Sequence, residues 1–190
     1  NSSAAITAVG TVQMQAQAGN IGNAATIASG TGADVLLTAD GNIVNSGAIG
    51  SGRLVSFAAG SNISNTAAIT AVDSITMTAG NDINNSDMLT AGSSVILTAG
   101  NDIGNTAAIT AAEAITMEAA SDITSDGTLT AVKDVQLIAD GGNINIDDGG
   151  TVTSKQGSIN LVTKNTGAAG QGAITVNAAL DAKNAINVLA

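Results

Sequence analysis

The sequence has no cysteine, proline, tryptophan, tyrosine or histidine, and Phe57 is its single aromatic residue. Without cysteine there is no disulfide, and without cysteine or histidine the usual zinc sites lose their ligands. Histidine-based proton transfer and histidine-dependent triads are excluded for the same reason. Without aromatic rings, nucleic-acid bases have no stacking platform. Positive charge is scarce as well: five Lys and Arg stand against fifteen Asp and Glu, for a net charge of −10. That sign is wrong for gripping phosphate backbones or anionic lipid. No nucleic-acid partner is expected. Long apolar runs are also missing, because Thr, Ser, Asn or Asp interrupts every few positions. Nothing approaches the ~18–20 residues of a helical bilayer crossing, so no membrane insertion is expected. The chain opens on Asn1 with no secretory leader, and it reads as a piece of a longer protein.

What the sequence does have is small residues set at even spacing. Hydrophobic residues make up 44% of the chain, many of them alanine, while only 11% are charged. A composition rich in Gly, Ala, Ser, Thr and Asn invites a disordered reading. Disordered chains, however, lack evenly spaced Ile, Val and Leu, and here they recur throughout.

The recurrence is a repeat. Ile69–Met88, Leu89–Ala108 and Ile109–Thr128 align without gaps at a period of 20. They read ITAVDSITMTAGNDINNSDM, LTAGSSVILTAGNDIGNTAA and ITAAEAITMEAASDITSDGT. Extended outward, units open at Ile6, Ile27, Ile49, Leu129, Val152 and Ile174, giving eight full units and a truncated ninth. The unit at Ile27 aligns once two residues are inserted in its first loop. The whole of 1–190 reads as one segment of a longer array, with regular coils over 6–139 and irregular ones over 140–190.

Inside each unit the apolar spacing is two, as in Ile75, Met77 and Ala79 with Thr76 and Thr78 between. Period two is the signature of a strand whose side chains alternate between faces. Branched Ile, Val and Thr suit that geometry, and breakers such as Gly80-Asn81-Asp82 recur between the runs. Each unit is therefore expected to form three short strands. A 20-residue unit is too short for helical repeats or propeller blades, and the leucine-rich horseshoe signature is absent. The expected fold is all-β: a single-stranded parallel β-helix (β-solenoid) of about nine coils stacked ~4.8 Å apart.

Stacking turns sequence columns into ladders. Ile21, Ile43, Ile63, Ile83, Ile103, Ile123 and Ile144 should lie one above another in the core. Two residues later, Asn23, Asn45, Asn65, Asn85 and Asn105 should form an inward corner ladder joined amide to amide. Ser125 and Ile146 take the Asn place in the later units. A lone coil cannot bury enough apolar surface to order itself, so neighbouring coils must supply the rest.

At ITA…SITMTAGNDIxNTAA the chain resembles the repeat region of filamentous-haemagglutinin-type exoproteins, over about Ile6 to Leu161. These are the large secreted partners of bacterial two-partner secretion systems, including adhesins and the stalks of contact-dependent growth-inhibition effectors. The resemblance implies a right-handed helix and a place in the secreted or cell-surface material of a Gram-negative bacterium. It further implies passage through an outer-membrane transporter and a host or bacterial cell-surface receptor bound through regions outside this segment. Adjacent coils of the parent protein are the expected partners at both ends. The absence of cysteine suits a secretion route that the chain takes unfolded.

Each candidate site has a plainer structural role beside the functional one. Asp82, Asp102 and Asp122 stack like charges ~4.8 Å apart, which invites a cation. Asn holds the same place in four other coils, and both residues cap turn N–H groups, so a structural turn is expected. Asp140–Asp148 resembles a calcium loop only loosely and lacks EF-hand spacing. Thr70, Thr90, Thr110 and Thr130 form an outward column of the kind ice-binding surfaces use, but the adjoining columns are mixed. Glu113 and Glu118 are the only glutamates and lack aromatic sugar-stacking partners. Arg53, Lys133, Lys155, Lys164 and Lys183 are read as scattered, with no basic stripe for an acidic glycan. No catalytic residue, metal or cofactor is expected. The expected function is a structural shaft segment of an adhesin-type exoprotein that projects a binding or toxin region. The alternative is a ligand-binding solenoid that uses flat Thr and Asn faces for a glycan or ice.

Overall fold

A computed structural model describes residues 2–147, 149–164 and 172–190. The chain folds as a right-handed parallel β-helix with three strands per lap and, among the described residues, no helix. The first lap comprises an opening strand Ile6–Ala8, a middle strand Val12–Ala16 and a closing strand Ile21–Asn23. Each strand pairs in parallel with the equivalent strand of the next lap, giving sheets of nine, nine and eight strands. The eight complete laps carry on into a ninth of two strands, Ala179–Ala182 and Ile186–Leu189.

Registers follow the repeat. Ile83 stands between Ile63 and Ile103, and Ile103 beneath Ile123. Leu37, Phe57, Met77, Leu97, Met117 and Leu137 form another interior column. Ala39, Ala59, Ala79, Ala99, Ala119 and Ala139 form a third, each buried. The ring is small, so two large apolar side chains and one alanine per middle strand, such as Ile75, Met77 and Ala79, suffice to fill it. In the eighth lap Thr163 replaces the alanine, is buried, and donates through Oγ1 to the Gly172 carbonyl at 2.7 Å.

Two departures from the expected pattern have local causes. The two extra residues of the unit at Ile27 lengthen its opening strand to Ile27–Thr31, and the register shifts between Ala28 and Thr31. The chain recovers through Gly32 at φ +72°, a left-handed conformation that glycine takes without penalty.

The second departure is a correction. Ile174 does not open the ninth unit. It lies in the closing strand Ile174–Val176, paired with Ile144, and Leu180 occupies the opening place above Val152. The eighth lap carries its extra residues between its middle and closing strands, so the distance from Val152 to Ile174 imitates a full period. Much of that insertion, residues 165–171, lies outside the described residues.

Candidate functional site

Polar groups that could act on a ligand occur in four columns, three at or near the corners and one on a sheet face. The first is the inward Asn ladder that ends each closing strand. Its Ile–x–Asn run puts Ile and Asn on the same, inner side of a three-residue strand. Asn23 Nδ2 donates to Asn45 Oδ1 at 2.8 Å, Asn45 to Asn65 at 2.7 Å, Asn65 to Asn85 at 2.8 Å, and Asn85 to Asn105 at 2.8 Å. The five side chains are at most 2% exposed. Asn105 ends the run by donating to the Ala107 carbonyl at 2.8 Å and to Ser125 Oγ at 3.3 Å. Ile146 follows Ser125, so the amide chain stops where the sequence stops supplying Asn. Every amide donates in the same direction along the rod.

The second column precedes the closing strands. Asn20 Oδ1 accepts from the Asn42 backbone N–H at 2.7 Å, and Asn42 Oδ1 from Asn62 N–H at 3.0 Å. The pattern passes through Asn62, Asp82, Asp102 and Asp122 to Asn143, whose Oδ1 takes the Ala173 N–H at 3.0 Å. Asp and Asn do the same job here, since one side-chain oxygen completes the next lap's turn. Asp82 Oδ1 also accepts from Asn101 Nδ2 at 2.7 Å.

The irregular loop is used in the same local way. Asp140 is ion-paired with Lys164 at 2.8 Å, and Asp147 Oδ1 accepts from Asn177 Nδ2 at 3.4 Å. Asp148 lies outside the described residues. Among the described residues no three Asp or Glu side chains converge as a metal site would require.

The third column is the corner between opening and middle strands, and it corrects the expectation of scattered basic residues. Backbone hydrogen bonds stack Arg53, Asp73, Ser93, Glu113 and Lys133 in that order, with Lys155 and Lys183 on the same edge. Four of the five cations therefore share one corner. Asp73 and Glu113 lie between Arg53 and Lys133, so the stripe is mixed in sign there, while Lys133, Lys155 and Lys183 follow one another in the last laps. Arg53 and Lys133 keep the 20-residue period, and only Lys155 and Lys183 leave it, where the later laps lengthen.

Arg53 grips the largely buried Asp34 with a two-pronged fork whose Nε–Oδ1 arm is 2.7 Å. Leu54 N–H adds a contact at 3.3 Å. The Arg53 hydrogen bonds hold the Asp34 carboxyl below its ordinary value, against an opposing push from burial. Glu113 pairs with Lys133 at 2.7 Å. Glu118 stands on the outer face of a middle strand beside Thr98 and Ile138, so the two glutamates serve different surfaces.

The fourth column is the outward threonine row. Thr70, Thr90, Thr110, Thr130 and Thr153 are in consecutive register, and Gly50 ends the row on one side. The outward columns of the middle sheet are mixed: Thr76–Ile96–Thr116–Gln136 and Thr78–Thr98–Glu118–Ile138. Comparison with protein-family models, with curated proteins and with solved structures found no match.

Proposed function

We propose that this chain is a shaft segment of a large bacterial exoprotein of the filamentous-haemagglutinin type, secreted or held at the surface of a Gram-negative cell. On this reading it projects a binding or toxin region that lies elsewhere in the parent. It takes adjacent coils as neighbours at both ends and meets a receptor only through those other regions. An outer-membrane transporter handles it unfolded. The observation that carries the reading is the inward use of chemistry: the Asn ladder engages lap with lap over five successive laps and the turn-capping column over seven. The side chains richest in hydrogen-bonding capacity are thus committed to the rod. Its mechanism is geometric, since reach scales with the number of laps.

Deleting two whole laps, Ile69–Ala108, tests this directly. Ala68 then joins Ile109 at equivalent places, and X-ray scattering should show a folded rod shorter by about 10 Å. Loss of folding, or a thermal shift with calcium or saccharides in the parent segment, counts against a pure spacer.

The continuous threonine row favours a second reading, in which that face binds ice or a glycan. Thermal hysteresis abolished by Thr90→Tyr would move the proposal to that reading.

A further inference from the structure

The opening-strand face has features that match a copy of itself. It carries no charged residue in any strand from Ile6–Ala8 to Thr151–Ser154, as is also true of the closing strands, in a chain of net charge −10. Its large apolar side chains are exposed in the middle of the rod, with Val72 at 63% and Met88 at 45%. Both are set beside small residues. In successive laps the outward triplets read Ala68-Thr70-Val72 and Met88-Thr90-Gly92, so each lap carries its bulk on the opposite edge from the next.

We propose that this face pairs with the same face of a second copy, the two rods running antiparallel. The two-fold axis lies in the interface between the Thr70 and Thr90 laps. Rotation about that axis keeps each edge on its own side and exchanges the two laps. Val72 then falls opposite Gly92 of the second copy, Met88 opposite Ala68, and Thr70 opposite Thr90. One lap further out on each side, the charge-bearing corner brings Arg53 against Glu113, and the symmetry makes that pair twice. Arg53 and Glu113 each keep about half of their side-chain surface exposed beyond their internal partners, Asp34 and Lys133. The neutral face removes the like-charge penalty that the acidic column Asp82, Asp102 and Asp122 would impose on any pairing through that corner.

Such an isologous contact is self-complementary by construction, and its two sheets face each other as in a sandwich. A patch about 24 Å long and 16 Å wide, from lap and residue spacings, covers roughly 400 Å² per copy. Stable complexes bury at least ~1,200 Å² in total, so this dimer is weak and forms only at high concentration.

Sedimentation equilibrium of the 190-residue chain, taken to about 1 mM, tests the pairing. The unaltered chain should pass from monomer to dimer as its concentration rises. Val72→Asp and Met88→Asp, both at exposed places, should each weaken it by about tenfold or more with unchanged circular dichroism. Glu113→Lys should weaken it several-fold by facing Arg53 with a like charge. Thr124→Asp, on the closing-strand face, should leave it unchanged. A monomer at all concentrations overturns the proposal, as does a dimer indifferent to Val72→Asp. Association abolished by Leu189→Asp, in the last lap, and not by Val72→Asp would instead place the contact at the rod ends.

Discussion

Asn85 is the middle of a buried amide chain, and replacing it with leucine keeps the branched outline but removes two hydrogen bonds. Asn65 Nδ2 loses its acceptor at 2.8 Å, and Asn105 Oδ1 loses its donor at 2.8 Å. Each orphaned buried group costs about 1–3 kcal/mol, so Asn85→Leu should destabilise by about 2–6 kcal/mol. Asn105 shows an escape, since it bonds the carbonyl two residues ahead. The same swing by Asn65 places the loss in the lower half of that range. A second substitution sharpens the test. Asn65→Leu with Asn85→Leu again leaves two orphans, now Asn45 Nδ2 and Asn105 Oδ1, so the double variant should cost little more than the single one. Urea unfolding followed by circular dichroism measures both, with a coupling of about 1–3 kcal/mol expected between the sites. Additive losses, or a single loss under about 0.5 kcal/mol, would refute the idea that the amides act as one chain.

Phe57 is fully buried between Leu37 and Met77. Phe57→Ala should therefore cost about 3–5 kcal/mol, whereas Phe57→Leu, which restores the residue type of the column, should cost far less; thermal melts separate them. Gly32 meets open space but sits at φ +72°, so Gly32→Ala should lose about 1–2 kcal/mol through backbone conformation alone. Gly50 also meets open space, with no positive φ, in an opening strand. There Gly50→Ala should gain about 0.4–1 kcal/mol in the same denaturation assay. The Asp34 carboxyl is held low by Arg53. Its stabilisation is therefore present above the unfolded-state value near ~3.9 and is lost as pH falls through the lower folded-state value. Asp34→Asn should lower the urea midpoint at pH 7, with the gap to the unaltered chain closing below about pH 4. A gap independent of pH would contradict the charge-based account.

Strands, lap order and ladder membership were legible because a solenoid repeats its environment. Every lap places the same side chain against the same neighbour, so Ile83 and Asn85 announce their surroundings through Ile63, Ile103, Asn65 and Asn105. That redundancy fails where a lap changes length. Ile174 has the residue type of both an opening and a closing position, and only backbone pairing with Ile144 decides between them. The mixed-charge corner was legible from Arg53 to Lys133, which keep the 20-residue period. Lys155 and Lys183 leave that period where laps lengthen, and the role of Arg53 depends on Asp34, which the widened second lap brings to the same edge. The Asp-for-Asn exchange in the turn column was legible from chemistry alone, because a single carbonyl-like oxygen is all that the turn requires.

The direction of the lap-to-lap hydrogen bonds fixes how such a rod meets mechanical load. They run along the rod axis, between strands that lie across it. Tension applied at the two chain ends therefore peels the terminal lap bond by bond, and the rungs do not share the force. Each lap of about twenty residues, once freed, yields roughly 65–70 Å of extended chain in place of a ~5 Å rise. A rod under such a pull would lengthen lap by lap, in steps set by the number of residues in each lap.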